Sequence, residues 1–213
     1  MKNYYIIGCG GLAKEVYTLT SQTLANSNHF KGFIDLDNSN EVIIIGNENF
    51  PIINQVEFLK RTTPSKKNEL YIGVGNPIII DKISKLFTNY NFPNLIHPNV
   101  IYDVNSVKLG RGNILTAGCI LTVDISLGSF NYFNLTTTVG HDVIIGDNNV
   151  FNPGVNISGS VKIGSSNLFG TNSTILQTLK IENNNIIGAS SLLTKSINSD
   201  NIMLGVPAKK KEL

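Results

Sequence analysis

The feature that most restricts how this chain can fold is an apolar residue at every sixth position from Leu109 to Leu193. Fifteen successive positions follow this rule without an insertion or a deletion: Leu109, Leu115, Leu121, Leu127, Phe133, Val139, Ile145, Phe151, Ile157, Ile163, Phe169, Ile175, Ile181, Ile187 and Leu193. Because hydrophobic residues make up 41% of the chain, chance would give such a series on the order of once in a million for a chosen frame. A fixed short period predicts a solenoid, in which each repeat stacks on its neighbours.

A second period of eighteen residues lies on top of the first. Glycine follows the aliphatic residue once per eighteen residues, at Gly110, Gly128, Gly146 and Gly164, until Glu182 breaks the series. Two further ladders share this period: Val107, Ile125, Val143, Val161 and Leu179, and Asn113, Asn131, Asn149, Asn167 and Asn185. Three hexads therefore make one turn of a three-sided coil, whose strands stack about 4.8 Å apart and whose large aliphatic side chains point inward. The period alone gives neither the hand of the coil nor its oligomeric state.

The first 95 residues follow a different pattern. Residues 4–7 form an apolar run that ends in the glycine turn 8–11, after which Leu12, Val16 and Leu19 recur at helical spacing. Three more apolar or β-prone runs and one helical segment follow, at residues 33–35, 42–45, 70–74 and 78–86 respectively. Strands that alternate with helices predict a parallel sheet covered by helices, which is an α/β domain.

The glycine turn indicates where a nucleotide would bind. Gly8, Gly10 and Gly11 let the backbone approach a diphosphate, and the following helix offers free N–H groups and a partial positive charge. Asp35 follows the last turn glycine by 24 residues, where its carboxylate is placed to accept hydrogen bonds from a ribose or a base. About four strands in about 90 residues are few for a dinucleotide fold, so one nucleotide is expected. The alternative is a tight packing turn without a ligand.

Charge and composition exclude several classes of protein. The net charge is +2, from 17 basic and 15 acidic residues, which gives no electrostatic reason to expect nucleic acid or an anionic membrane as a partner. No apolar run approaches the length of about 18 residues that a membrane span needs. The start, MKNYYIIGCGG, lacks the regions of a signal peptide. Cys9 and Cys119 cannot form a disulfide framework or a cysteine zinc site, so we expect a cytoplasmic, reduced protein.

Among the three histidines, His141 stands out. It lies two residues after the inward-facing Val139, where the coil is expected to bend. His29 lies in a polar stretch and is expected to be solvated, and His97 precedes Pro98 at the entry to the repeat, where it is expected to mark the boundary. The alternative for His141 is a surface histidine on a face of the coil.

A histidine at this place suits acyl transfer. Moving an acetyl group from a thioester to an amine or a hydroxyl requires a base, and imidazole accepts protons near neutral pH. Asp142 is placed to orient the imidazole, as the third member of a catalytic triad does. Because no serine or cysteine nucleophile is paired with His141 in a recognisable motif, direct transfer is favoured over an acyl-enzyme. A zinc site is not expected, since the repeat offers no second histidine near His141 except His97.

Six segments together give the chain a resemblance to two-domain bacterial acetyltransferases. The segments are residues 4–16 (YYIIGCGGLAKEV), 32–37 (GFIDLD), 72–77 (IGVGNP), 94–100 (NLIHPNV), 136–164 (TTTVGHDVIIGDNNVFNPGVNISGSVKIG) and 205–210 (GVPAKK). Members of this hexapeptide-repeat family N-acetylate nucleotide-linked 4-amino-4,6-dideoxy sugars, and relatives are described as sialic-acid O-acetyltransferases. The resemblance implies an α/β domain with a small Rossmann-like parallel sheet in residues 1–95, which binds the nucleotide sugar. It further implies a left-handed parallel β-helix with a C-terminal tail in residues 96–213, a homotrimer, and acetyl-CoA as co-substrate with no metal.

The same resemblance assigns roles to individual residues. His141 resembles the general base, Asp142 the acid that follows it, and Asn134 a polar residue that lines the acceptor site. Gly159 matches the glycine whose backbone N–H stabilises the developing oxyanion. The residues implied for the diphosphate and the nucleotide are Gly8, Gly10, Gly11, Lys14, Asp35, Asp37, Gly75 and Asn76. The residues implied for coenzyme A are Gly159, Gly188, Ala189, Pro207 and Lys209.

Two other functions remain open at this point. An O-acetyltransferase acting on sialic acid or a related sugar hydroxyl would use the same histidine chemistry, so His141 does not decide between the two acceptors. A nucleotide-sensing or structural solenoid without catalysis would share the repeat and the glycine turn. Binding of acetyl-CoA separates the last alternative from the other two.

Overall fold

The computed structural model describes residues 2–24, 27–36 and 42–211. The first part of the chain forms five strands: β1 (Asn3–Ile7), β2 (His29–Asp35), β3 (Val42–Ile45), β4 (Glu48–Asn54) and β5 (Asn68–Ile72). Three helices accompany them: α1 (Gly11–Thr23), α2 (Gln55–Arg61) and α3 (Pro77–Leu86). The predicted succession of strand, glycine turn and helix is confirmed by β1 and α1, and the second predicted helix is α3.

The strands form one sheet in the order β3-β4-β2-β1-β5. The pairs β1–β2, β1–β5 and β2–β4 are parallel, whereas β3 and β4 pair antiparallel. The wholly parallel sheet predicted from the sequence is therefore wrong at this edge, because the chain reverses at Gly46, whose φ is +60°. Helix α2 was not predicted either. Asn54 caps its start: the side-chain oxygen accepts hydrogen bonds from the N–H groups of Val56 and Glu57, a common way to begin a helix.

The rest of the chain winds into a three-sided parallel coil. Face 1 comprises β7 (Val107–Leu109), β10 (Ile125–Leu127), β13 (Ile144–Ile145), β16 (Lys162–Ile163) and β19 (Lys180–Ile181). Face 2 comprises β6 (Leu95–Ile96), β8 (Ile114–Leu115), β11 (Tyr132–Phe133), β14 (Val150–Phe151), β17 (Leu168–Phe169), β20 (Ile186–Ile187), β22 (Ile202–Leu204) and β23 (Lys209–Lys210). Face 3 comprises β9 (Ile120–Leu121), β12 (Thr138–Val139), β15 (Asn156–Ile157), β18 (Thr174–Ile175) and β21 (Leu192–Leu193). The bends between them are called corner 1–2, corner 2–3 and corner 3–1.

The sixfold series forms the core of the coil, as predicted. Every member is buried except Leu109, which is half-buried at the first turn. Residues eighteen apart pair across neighbouring turns, as Phe133 does with Phe151 and Phe151 with Phe169. These three rings stack with centroids 4.6 and 4.7 Å apart, so the spacing of the strands also sets the spacing of the side chains.

The asparagine ladder holds corner 1–2 together. Asn149 illustrates it: its backbone N–H and its amide nitrogen both donate to Oδ1 of Asn131, at 2.9 and 3.0 Å, and the amide nitrogen also donates to the carbonyl of Gly164. Its own Oδ1 accepts the N–H of Asn167, at 2.9 Å. Each buried amide thus satisfies backbone groups that the bend would leave without partners. This explains why the ladder is asparagine at every turn.

One hydrophobic cluster joins the sheet to the outer side of face 2, separate from the core inside the coil. The outward-facing side chains of Ile114, Tyr132 and Val150 on face 2 belong to the same buried cluster as the residues between the sheet and its helices. Polar contacts add to this packing: Asn148 Nδ2 donates to Asp81 Oδ1 on α3 at 3.2 Å. Face 2 is therefore the side of the coil that carries the N-terminal part.

The coil ends in a short hairpin. β22 pairs parallel with β20 and antiparallel with β23, and the N–H of Ala208 donates to the carbonyl of Leu192 at 2.8 Å. In the part of the chain that the structure describes, no helix has the length and apolar character needed to cross a bilayer.

Candidate active site

His141 lies at corner 3–1, between β12 and β13. The bend consists of Gly140, His141 and Asp142, and Asp142 has a φ of +58°, in the left-handed region. Its carboxylate oxygen Oδ2 lies 2.7 Å from His141 Nδ1. Since a carboxylate can only accept, Nδ1 carries the hydrogen in this contact and Nε2 of the neutral ring is left as an acceptor.

Gly159 lies at the same corner, one turn further along the coil. A Cβ atom placed on Gly159 would lie 2.5 Å from His141 Nε2 and 2.6 Å from Cε1, so the imidazole occupies the space that any other residue would need. Within the described residues, the N–H of Gly159 donates to no acceptor, whereas its carbonyl accepts the N–H of Thr178. The corner therefore places a ring nitrogen that accepts a proton beside a backbone N–H that is available to an oxyanion.

This corner is open in a single chain. The side chains of His141 and Asp142 are 63% and 59% exposed. Three large apolar side chains around them, Val123, Ile144 and Leu176, are also 40% or more exposed. An apolar surface next to a polar pair is typical of a site that another surface covers.

Asn134 lies at corner 2–3, which is a different edge of the coil from His141. Its Oδ1 accepts the N–H of Leu135 at 2.8 Å, and its carbonyl accepts the hydroxyl of Thr137 at 2.7 Å. Strand β12 on face 3 separates the two corners. The structure therefore does not bring Asn134 and His141 together within one chain, although only seven residues separate them in sequence.

The residues implied for coenzyme A divide in the same way. Gly159 lies at corner 3–1, whereas Gly188 and Ala189 lie at corner 2–3 near the end of the coil. Pro207 and Lys209 are exposed in and next to the terminal hairpin. The candidate groups thus occupy two edges of the coil, on either side of face 3.

A cavity of about 230 Å³ opens at the carboxyl ends of β1 and β2. Its walls include Gly8 and Asp35, which are predicted from the sequence to bind a nucleotide, together with Val74 beyond the end of β5. Gly8 has a φ of +105°, and a Cβ there would lie 2.8 Å from Val74 Cγ2, so the turn requires glycine. Since the chain adds β5 on the opposite side of β1 from β2, this is the kind of position where α/β sheets bind ligands.

The start of α1 faces the same edge of the sheet. No side chain caps the helix at Gly10, its first turn contains no acidic residue, and a Cβ at Gly10 or Gly11 would meet nothing within 4 Å. Lys14 is exposed one turn further along. An uncapped N-terminus with open space in front of it is suited to an anion.

The remaining residues implied for the nucleotide differ in whether their side chains are available to a ligand. Gly75 and Asn76 follow β5 at the same edge of the sheet, but the Asn76 side chain already accepts the N–H groups of Ile78 and Ile79 as the cap of α3. Asp37 lies outside the described residues. Within those residues, no cluster of three or more His, Cys, Asp or Glu could hold a metal ion.

A second cavity, of about 390 Å³, lies between α1 and corner 2–3 and was not predicted from the sequence. His97, which was interpreted as a boundary residue, lines it together with Asn134 and Tyr132. The signal in the sequence was the outward position of Tyr132 in its hexad, directly before the inward Phe133. That position alone did not show that α1 would lie across it.

No protein-family model and no curated protein matches the chain, but solved structures do. Perosamine N-acetyltransferase from Caulobacter crescentus, solved with CoA and GDP-perosamine, has a TM-score of 0.85 at 21% identity and covers 100% of this chain and 98% of its own. Variants of that enzyme with a histidine replaced by asparagine or alanine are also solved with both ligands.

Two other structures are similar over the full length. The acetyltransferase domain of PglB from Neisseria gonorrhoeae FA1090, in complex with acetyl coenzyme A, has a TM-score of 0.87 at 24% identity, with 99% of both chains covered. WeeI from Acinetobacter baumannii AYE has a TM-score of 0.86 at 26% identity and covers 99% of this chain and 100% of its own. The fold, including both the N-terminal sheet and the coil, is therefore that of these proteins.

Proposed function

We propose that this chain is an acetyl-CoA-dependent N-acetyltransferase that acts on the amino group of a nucleotide-linked 4-amino-4,6-dideoxy sugar. The observation that carries the proposal is the contact between the His141 ring and Gly159, because it places an oriented base beside an unused backbone N–H. The ligands of the structural neighbours support it: CoA and GDP-perosamine in one, acetyl coenzyme A in another.

The proposed reaction is direct transfer. His141 Nε2 removes a proton from the sugar amine as the amine nitrogen bonds to the thioester carbonyl carbon. The N–H of Gly159 donates to the carbonyl oxygen as that oxygen gains negative charge. When the carbon–sulfur bond breaks, the imidazolium returns the proton to the departing sulfur, which gives the amide and free CoA thiol. Asp142 holds the ring in the tautomer with Nε2 unprotonated and stabilises the imidazolium.

The N-terminal part is proposed to hold the nucleotide. The Rossmann-like arrangement supports this role, with the uncapped start of α1 for the diphosphate and the cavity beside Gly8 and Asp35 for the nucleoside. The proposed division of labour follows the boundaries expected from the sequence, residues 1–95 for the nucleotide and 96–213, as a left-handed coil, for acetyl transfer. A cytoplasmic location stays a prediction.

A second copy of the chain is proposed to complete the site. The candidate residues occupy two corners of one coil, and both corners carry exposed apolar side chains: Val123 and Leu176 at corner 3–1 and Leu135 at corner 2–3. Corner 2–3 of one chain placed against corner 3–1 of the next would cover these side chains and bring Asn134 to the partner's His141. Such a head-to-tail contact forms a closed ring when its rotation is a whole fraction of a full turn, and we propose the three-membered ring, the homotrimer expected from the resemblance.

The oligomer is tested by light scattering after gel filtration. The expected mass is three times the chain mass of 23.2 kDa. A monomer with full turnover would show that one chain contains the whole site.

The reaction is tested by release of CoA thiol from acetyl-CoA in the presence of GDP-, UDP- or dTDP-linked 4-amino-4,6-dideoxyhexoses. His141→Ala is expected to lower turnover by about 10²- to 10⁴-fold with the fold unchanged by circular dichroism. His29→Ala, which changes an exposed histidine away from both corners, is the matched control and should stay within about twofold of wild type. Near-normal turnover of His141→Ala would reject the base.

The same assay separates the two alternatives. Sialic acid is included as a hydroxyl acceptor. Thiol release with sialic acid and with none of the amino sugars would support O-acetylation and reject N-acetylation. Calorimetry with acetyl-CoA addresses the non-catalytic alternative, which is supported if acetyl-CoA fails to bind while a nucleotide still does.

A further inference from the structure

The cavity between α1 and corner 2–3 is built as a small-molecule site. Its volume is about 390 Å³, within the range of about 300–1,000 Å³ typical of such sites. The exposed side chains of Glu15 and Gln22 on α1 stand at its edge, whereas Leu19, Thr116 and Tyr132 are buried. Polar groups at the opening and apolar surface below are what a sugar with both hydroxyl and methyl substituents requires.

Two hydroxyl groups of this cavity lack ordinary partners. Tyr132 and Thr116 are 3% and 8% exposed, and among the described residues neither hydroxyl oxygen has a geometrically acceptable hydrogen bond. Thr116 has a weak neighbour in the Cys119 thiol, so the Tyr132 hydroxyl is the clearer case. Buried hydroxyls nearly always have a partner in folded proteins, and one without a partner beside a cavity indicates a ligand.

The position of the cavity fits the proposed substrate. Asn134, a candidate acceptor-site residue, lines it. Glu15 lies four residues after Gly11, which begins α1, and four residues of helix advance about 6 Å. A hexose joined to a diphosphate at the start of α1 would therefore reach the opening of the cavity.

We propose that this cavity receives the hexose of the nucleotide sugar and that Tyr132 determines its specificity by donating a hydrogen bond to an oxygen substituent of the sugar ring. The inference rests on the proposed function for the identity of the ligand. The phenolic oxygen exposes less than 1 Å² in the free chain, so binding includes a small shift of neighbouring side chains, as is common at ligand sites. The deoxy carbon of the sugar would pack against Leu19 and Leu135.

The surroundings of Tyr132 keep its hydroxyl protonated, so that it can donate a hydrogen bond. Burial raises the pKa of Tyr132 above its ordinary value, and the negative charge of Glu15 raises it further. The phenol therefore remains protonated throughout the pH range in which the enzyme would work. A carbonyl or ether oxygen, or a hydroxyl accepting through its lone pair, is the matching group on the ligand.

The test is Tyr132→Phe, which removes only the hydroxyl. Calorimetry compares GDP-, UDP- and dTDP-linked 4-amino-4,6-dideoxyhexoses with GDP, UDP and dTDP. The variant is expected to raise the Kd of the preferred nucleotide sugar by about tenfold or more and to leave the Kd of its nucleoside diphosphate within about twofold. Tyr102→Phe, on a half-buried tyrosine of the coil outside the cavity, is the matched control and should change neither.

Stability supplies an independent readout. Because the hydroxyl has no partner in the free protein, Tyr132→Phe should unfold at the same temperature as wild type or higher. Weaker sugar binding in an equally stable protein is not expected of a merely structural tyrosine. An unchanged Kd for the nucleotide sugar, an equal loss for the nucleoside diphosphate, or a wild type that binds both equally well would overturn the inference.

The outcome is separable from that of the proposed function. Tyr132-dependent binding without thiol release would retain this inference and reject acetyl transfer. Thiol release with an amino sugar, together with wild-type sugar binding in Tyr132→Phe, would retain acetyl transfer and reject the role of Tyr132.

Discussion

Gly159→Ala is the sharpest test of the geometry at corner 3–1. The added Cβ would lie 2.5 Å from Nε2, 2.6 Å from Cε1 and 3.0 Å from Cδ2 of His141. To reach an ordinary contact of about 3.5 Å, the ring must move by about 1 Å. The backbone N–H of residue 159 remains in the variant, so the change acts on the position of the proposed base and leaves the proposed oxyanion donor in place.

The expected loss follows from that displacement. A shift of about 1 Å in a reacting group costs about 10²-fold in turnover, and we expect this loss in kcat, measured by thiol release. The fold should hardly respond, because the ring is 63% exposed and can turn toward solvent, and Gly159 does not have a positive φ. The free energy of unfolding, from urea denaturation, should stay within about 0.5 kcal/mol.

Two control experiments distinguish displacement of the His141 ring from a general effect of substitution at corner 3–1. Gln177 is the exposed residue at the same corner one turn further along, and Gln177→Ala should retain wild-type kcat. In a His141→Ala background, Gly159→Ala should have no further effect, because the two changes act through the same ring. Turnover of Gly159→Ala within about threefold of wild type, or an equal loss in both backgrounds, would show that residue 159 does not act through the His141 ring.

Two further predictions concern stability. Asn149→Ala should lower the free energy of unfolding by about 3 kcal/mol, because it leaves the buried N–H of Asn167 and other ladder groups unpaired. Asn198→Ala, at an exposed asparagine, is the control. Equal stabilities of the two variants would contradict a stabilising role of the asparagine ladder. Burial raises the pKa of Tyr71 and Tyr132 above the usual value, so the folded state retains protons that the unfolded state releases. Stability should therefore be constant up to about pH 10 and fall above it by up to about 1.4 kcal/mol per pH unit for each tyrosine. Urea denaturation between about pH 9 and 11 measures this, and Tyr132→Phe should reduce the slope; a slope identical to wild type would contradict it.

The coil was predictable in detail because its period is a physical constraint. Each turn needs inward apolar residues at the same places, so the period of the structure appears as a period in the sequence. Even the contact between His141 and Gly159 follows, since residues eighteen apart lie at the same corner. The separation of Asn134 from His141 follows equally, because seven residues is one hexad plus one and carries the chain to the next corner.

The N-terminal part was predictable only in outline. The glycine turn between β1 and α1 is local, and local signals are visible in a single sequence. The hairpin of β3 and β4 was missed because its direction depends on the turn at Gly46 and on which strand is available for pairing, neither of which appears in the hydrophobic pattern. Helix α2 is seven residues long, too short for a clear period of 3.6.

The packing of the N-terminal part on face 2 of the coil could not be predicted from the sequence. The sequence pattern indicates only that Tyr132 is an outward residue of a repeat and that Glu15 is an exposed residue of a helix. Only the docking of α1 on face 2 makes them neighbours of one cavity. Since this docking buries a hydroxyl without a partner, the chain carries at Tyr132 a feature that packing alone does not explain, and such local inconsistencies tend to mark functional positions.

The coil also explains why the geometry of corner 3–1 depends on few side chains. Asp142 N–H donates to the carbonyl of Val123 and Ser160 N–H to that of His141, so backbone bonds between successive turns fix corner 3–1 independently of most side chains. The His141 ring and the N–H of Gly159 are therefore held by the pitch of the coil, which would keep them preorganised for the proposed reaction. Structures only 21–26% identical to this chain keep the same fold over its full length, as expected if the backbone ladder, and few side chains, sets the geometry.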